Sequence, residues 1–176
     1  MSDKRIFNIT FAALFTALVC VMSQISFQTP TVPVTLQTFG VALCGYTLRP
    51  KWALSSIAAY IAIGAFGLPV FSSFRGGMQV IAGPTGGFII GFLFLALGCS
   101  CFSLHEKRMV AIISGTVGML ICHLLGATQY SIVTGNSFLT ALLTASLPFL
   151  IKDVLSVTAA YFLSVYILKL FNKLKI

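Results

Sequence analysis

Acidic residues are nearly missing from this chain. It holds three Asp and Glu against eleven Lys and Arg in 176 residues, and charged residues make up only 8% of it. A soluble domain carries about 25% charged residues, so there are too few here to wet the surface of a globule. The five cysteines (Cys20, Cys44, Cys99, Cys101, Cys122) include no CxxC pair. Cys99–Ser–Cys101 is too little for a zinc site, so no metal site is expected and the thiols read as small packing residues. No paired carboxylates and no nucleophile–base pair are visible. His105 falls in a loop, and His123 falls mid-helix without an evident acidic partner, so it reads as a core histidine and not as a base. An enzyme is therefore not expected.

Apolar length is what the chain has in abundance. Hydrophobic residues are 58% of the total, and mean hydropathy is +1.02. Runs of about 20 apolar residues, enough to cross a hydrocarbon core, recur along the chain. They fall at Phe7–Phe27, Leu36–Leu48, Trp52–Leu68, Thr85–Leu104, Met109–Thr134 and Pro148–Phe171. The expectation is an all-α integral membrane protein with six transmembrane helices in one domain, residues 1–176. No small-residue cleavage site follows the first run, which is expected to stay as a helix. The second run spans about 20 Å as a helix; it must tilt little, sit off-centre or be shielded by neighbours. Small residues four apart (Ala13/Ala17, Ala58/Ala62, Gly87/Gly91) would let helices approach closely.

The charge of +8 follows topology better than it follows nucleic acid. Lys4, Arg5, Arg49, Lys51, Lys107, Arg108, Lys169, Lys173 and Lys175 all flank alternate ends of the six runs. By the positive-inside rule that face is cytoplasmic, and both termini lie on it. The opposite face is left with Gln28–Thr35, Pro69–Pro84 and Gly135–Leu147, which together hold one base, Arg75. Lys152 and Asp153 lie a turn inside the sixth run, at the same outer end. An ionisable group inside a membrane is costly and by default marks a functional site. Asp153 is the first candidate ligand contact, with Lys152 and Arg75 beside it. Adjacent residues diverge by about 100° on a helix, so Lys152 and Asp153 are expected to make a poor direct salt bridge.

The outer connections carry the remaining candidates. FRGGMQVIAGPTGGF, Phe74–Phe88, holds five glycines around Arg75, yet it lacks the GK[ST] of a phosphate loop and a preceding strand. Pro84 is expected near the first position of a helix, with backbone donors exposed at Thr85, Gly86 and Gly87. Gly76, Gly77, Gly86 and Gly87 would let a ligand lie against the backbone; Gly91 reads as a helix-crossing residue. In QTPTVPVTLQTFG, Thr35 reads as a helix cap. Gln37 offers an amide to a ligand or to a neighbouring helix. Gln129 and Tyr130, at the outer end of the fifth run, offer an amide and an amphipathic ring, the latter equally suited to anchoring at the membrane interface.

VPVTLQTFGVALCG, GAFGLPVF, GPTGGFIIGF and PFLIKD, in this order, resemble the BioY family almost end to end. These are the biotin-binding S components of energy-coupling-factor (ECF) vitamin transporters. The resemblance implies six helices, cytoplasmic termini in the cell membrane, and a biotin site near the extracellular end, covered by two of the outer loops. It also implies partners: a transmembrane coupling protein and two cytoplasmic ABC-type ATPases, with Ala13 and Ala17 matching an AxxxA docking pattern on the first helix. The family often has Asp followed three residues later by Lys on its last helix. Here Asp153 is followed by Ser156, and Lys152 stands on the other side.

Biotin would be carried as cargo, with no cofactor. Asp153 is assigned to the ureido N–H, and Gln37 or a backbone N–H of Thr85–Gly87 to the ureido carbonyl. Phe39, Phe74 and Phe88 are assigned to an apolar wall, and Arg75 or Lys152 to the carboxylate. A solitary facilitator, an S component for another vitamin, and a receptor-like scaffold without cargo remain as alternatives.

Overall fold

The computed structural model describes residues 3–27, 32–102 and 108–174. His105, Lys107, Lys175 and the first half of the first outer connection lie outside the described residues. Each of the six apolar runs holds a helix: α1 (Asp3–Gln24), α2 (Gln37–Thr47), α3 (Pro50–Ala65), α5 (Gly86–Cys101), α6 (Arg108–Thr134) and α8 (Leu147–Leu174). Two further short helices, α4 (Met78–Ala82) and α7 (Phe138–Ala145), lie in what the sequence presents as outer loops. Among the described residues, three helices hold segments long and apolar enough to cross a membrane: Arg5–Gln24, Arg108–Thr134 and Leu147–Phe171; α5 is apolar but shorter.

Helix α2 packs against α1, α3, α5 and α8, and nearly all of it is buried. Neighbours on every side shield its unusual shortness, the third of the three accommodations expected. Pro50 starts α3 at a position where a missing N–H costs little, which turns the chain sharply after Leu48. Tyr46 fixes the lower bundle: its hydroxyl donates to the Ala111 carbonyl at 3.0 Å, and its ring meets Tyr161 edge-on.

Helices α5 and α6 are the most intimate pair. A Cβ on Gly87 would stand 2.3 Å from the Leu125 carbonyl oxygen, and one on Gly91 would stand 2.7 Å from the Cys122 Cα. The two backbones touch only because those side chains are missing. By contrast Ala13, Ala17, Ala58 and Ala62 are exposed. Where α1 meets α3, the contact includes the Thr16 and Ser56 hydroxyls, 3.0 Å apart.

At the opposite end from Arg49 and Arg108, the chain builds a roof. A two-stranded antiparallel hairpin, β1 (Ser26–Phe27) and β2 (Val34–Thr35), pairs Ser26 with Thr35. Gln24, at the last residue of α1, threads the segment after α3: its amide donates to the Pro69 and Phe71 carbonyls and accepts from the Phe74 N–H at 2.9 Å. That holds a 3-10 turn, Ser72–Phe74, in which Ser73 and Phe74 take positive φ.

Candidate functional site: a cavity beneath the hairpin

Helix α8 begins just after a break at Ser146 and carries Asp153 on its second turn, only 5% exposed. Three groups meet the carboxylate: His123, Lys152 and the Thr38 hydroxyl. His123, on α6, places Nε2 3.1 Å from Oδ2. Lys152 places its ammonium 2.5 Å from Oδ1. The expectation that neighbours on a helix make a poor pair does not hold here. The Lys stem is long enough to lie along the helix surface and bring its head back to the adjacent carboxylate. The contact is an ion pair and not an aligned hydrogen bond, so Oδ1 receives no hydrogen bond among the described residues. The same ammonium donates to the Thr35 carbonyl at 2.8 Å, tying α8 to the hairpin.

These groups open onto a narrow, partly enclosed cavity. Ligand pockets are mostly apolar with a few placed polar groups. This one fits that description. Phe92, Leu95 and Met119 line it with apolar surface, Phe71 and Phe88 supply aromatic faces, and Val32 and Pro33 reach it from the hairpin side. Its polar lining includes Thr35, Gln37, Thr38, Ser72, Thr85, His123, Lys152 and Asp153.

Of the residues singled out from sequence, the structure gathers Asp153, Lys152, Gln37, Thr85 and Phe88 around this cavity. Gln37 is also bonded to a neighbouring helix, since its amide nitrogen donates to the Tyr60 hydroxyl. Thr35 accepts the Gln37 N–H at 3.3 Å, although the cap position itself falls on Leu36. Arg75 is exposed; its guanidinium bonds the Ser72 carbonyl and hydroxyl at 3.2 and 3.3 Å, one residue away from the cavity wall.

The remaining candidates lie elsewhere. Helix α5 starts at Gly86, two residues after Pro84, and the Gly86 N–H is taken by the Gly83 carbonyl. Gly86 and Gly87 face the Ile81 and Leu125 carbonyls, where a Cβ would collide, so their bareness serves packing. Gln129 donates to the Ile81 and Gly83 carbonyls at 2.6 and 2.8 Å, closing the end of α4. Phe39 lines a separate groove between α2 and α8, Phe74 is 72% exposed, and Tyr130 is half-buried away from the cavity.

From sequence alone His123 lacks an acidic partner and reads as a core residue. That partner is Asp153, thirty residues on, and no local spacing signals it. Cys122, Phe92 and Met119 were likewise unmarked, since they look like any residue of an apolar helix.

Among the described residues, eight packed helices, at least three of them long and apolar enough to span, around a half-roofed cavity with the buried Asp153 carboxylate define a multi-pass helical membrane protein built to hold a small ligand. The chain belongs to the BioY family, whose sequence model matches residues 1–173. It is 35% identical over 161 residues to "Biotin transporter BioY" of Thermotoga maritima, covering 90% of this chain and 94% of that one. It is 38% identical over 157 residues to "Probable biotin transporter BioY" of Pyrococcus horikoshii, covering 87% and 91%. Its fold matches the crystal structure of the S-component for biotin from an ECF-type ABC transporter with a TM-score of 0.87, at 24% identity, over 96% of this chain and 94% of that one.

Proposed function

We propose that this chain is the biotin-binding S component of an ECF-type transporter. It captures biotin outside the cell and delivers it inward with a transmembrane coupling protein and two cytoplasmic ABC-type ATPases. The observation that carries the reading is the Asp153 carboxylate, buried at a cavity wall with Oδ1 lacking an aligned donor. A ureido N–H supplies that donor. Thr85 and Gln37 stand on the same wall for the ureido carbonyl, and Phe71 and Phe88 flank the apolar bicycle. In this reading the bundle spans the membrane six times, the hairpin end faces outward, and both termini are cytoplasmic, as the distribution of Lys and Arg favours. The chain performs no chemistry on its cargo and draws its energy from the partners. Ala13 and Ala17, exposed on α1, are the docking face for the coupling protein.

The ligand carboxylate falls to Arg75. Lys152 already serves Asp153 and the Thr35 carbonyl, whereas the Arg75 guanidinium rests on Ser72 at the cavity wall. Titrating the detergent-purified protein with biotin and with biotinamide, which lacks the acid, tests both claims. Wild type is expected to bind biotin tightly and to bind the amide less well. Arg75→Ala should weaken biotin by about tenfold, the worth of one charge-assisted contact, while leaving the amide unchanged. No saturable biotin binding by wild type rejects the cargo. Equal losses for both ligands reject the role of Arg75.

A further inference from the structure

Three buried polar side chains from three helical segments form one line beneath the cavity. Ser146, 1% exposed and seated between α7 and α8, places its hydroxyl 2.9 Å from His123 Nδ1. His123, 5% exposed, places Nε2 3.1 Å from Asp153 Oδ2. The Phe88 ring stands edge-on to the imidazole at 5.8 Å, so the ring is held from the cavity side as well.

The chemistry fixes which atom carries each proton. A carboxylate next to an ammonium only accepts hydrogen bonds, so Nε2 bears the hydrogen and donates it to Oδ2. In a neutral imidazole Nδ1 is then an acceptor, and the Ser146 hydroxyl is the one group beside it with a proton to give. The line runs Ser146 O–H to Nδ1, then Nε2–H to Oδ2. It takes one lone pair of Oδ2, the Thr38 hydroxyl also bonds the carboxylate, and Oδ1 is left with the Lys152 charge beside it but no aligned donor among the described residues.

We infer that His123 is a positioning residue that sets the selectivity of the pocket. It locks Asp153 as a one-sided acceptor whose remaining lone pairs demand an N–H from the cargo. The inference rests on the biotin reading above and deepens it: the site is built for a ring N–H donor at one place, and refuses an isostere that brings an oxygen there. Two oxygens facing each other in a dry pocket leave both unpaired, the situation in which polar sites discriminate most strongly. Without His123 the carboxylate is free to turn wholly onto Lys152, and the demand for N–H weakens.

The test compares biotin with the two cyclic carbamates in which one or the other ureido N–H is replaced by oxygen. Affinities are measured by titration, and unfolding midpoints alongside, for wild type, His123→Phe, His123→Gln and Ser146→Ala. Wild type is expected to prefer biotin over one of the carbamates by about 100-fold or more. His123→Phe should cut that preference to about tenfold or less, mainly by weakening biotin. His123→Gln should retain it, because an amide donates with its nitrogen and accepts with its oxygen, as the imidazole does. If His123→Phe does not fold, Ser146→Ala still reads the same ratio, with an expected narrowing of about threefold or more.

An equal loss for biotin and the carbamate, or an unchanged ratio in His123→Phe or Ser146→Ala, overturns the inference while leaving the cargo assignment intact. Failure of wild type to bind biotin overturns both.

Discussion

Replacing Asp153 by Asn is expected to raise the dissociation constant for biotin by at least about 100-fold, or about 2.7 kcal/mol. The two side chains have almost the same shape, so the loss measures charge and hydrogen bonding and not packing. Asn removes the counter-ion 2.5 Å from the Lys152 ammonium, a loss that falls on folding stability and is read by the unfolding midpoint. It also presents either an amide nitrogen or a weaker carbonyl where the ligand N–H must land, and bonds to a charged acceptor are worth about 1.5–3 kcal/mol. Titration calorimetry in detergent, with the unfolding midpoint as a control, reads the outcome. Wild-type affinity in a folded Asp153→Asn protein would place the cargo away from this carboxylate.

The second large effect concerns the scaffold. Gly91→Leu should prevent recovery of monodisperse protein from the membrane. The new Cβ would stand 2.7 Å from the Cys122 Cα, with the Cys122 sulfur equally close, so the obstacle includes main chain that cannot step aside. Overpacking a soluble core costs about 1–3 kcal/mol. Here the cost is larger, because forcing α5 and α6 apart also breaks the Ser114 hydroxyl bond to the Gly98 carbonyl, 2.7 Å long. Ala58→Leu, on an exposed face of α3, is the matched control and should purify like wild type. Size-exclusion profiles of the two proteins decide the matter, and a normal profile for Gly91→Leu would contradict the close crossing.

How much of this was legible beforehand differs from residue to residue. The helices of the six apolar runs announce themselves because each is a sustained apolar stretch, and the longest of these have few alternatives in a bilayer. Helix α7 escaped notice although Ser137 caps it, accepting from the Thr140 N–H at 3.2 Å; eight residues beside a longer apolar run carry too little periodicity to stand out. Asp153, Lys152 and Arg75 drew attention because they break a charge rule that the other bases obey, which needs no knowledge of packing. Gln129 was ambiguous for the opposite reason. A polar residue at a helix end suits a ligand or a neighbour equally, and the neighbour it serves, α4, was itself invisible. The His123–Asp153 pair was hidden more deeply. Whether residues thirty positions apart meet depends on the rotation of α6 against α8 about their axes, and apolar periodicity is too blunt in helices that are apolar on every side.

The Lys152 ammonium grips the carboxylate of Asp153 and the carbonyl of Thr35 at once. Binding floor and lid therefore share a single fastener. Whatever draws Asp153 toward a guest changes the tension on β2, and whatever lifts β2 alters the charge felt by the guest. In the proposed reading, loading and sealing are in that sense two readings of one mechanical coordinate.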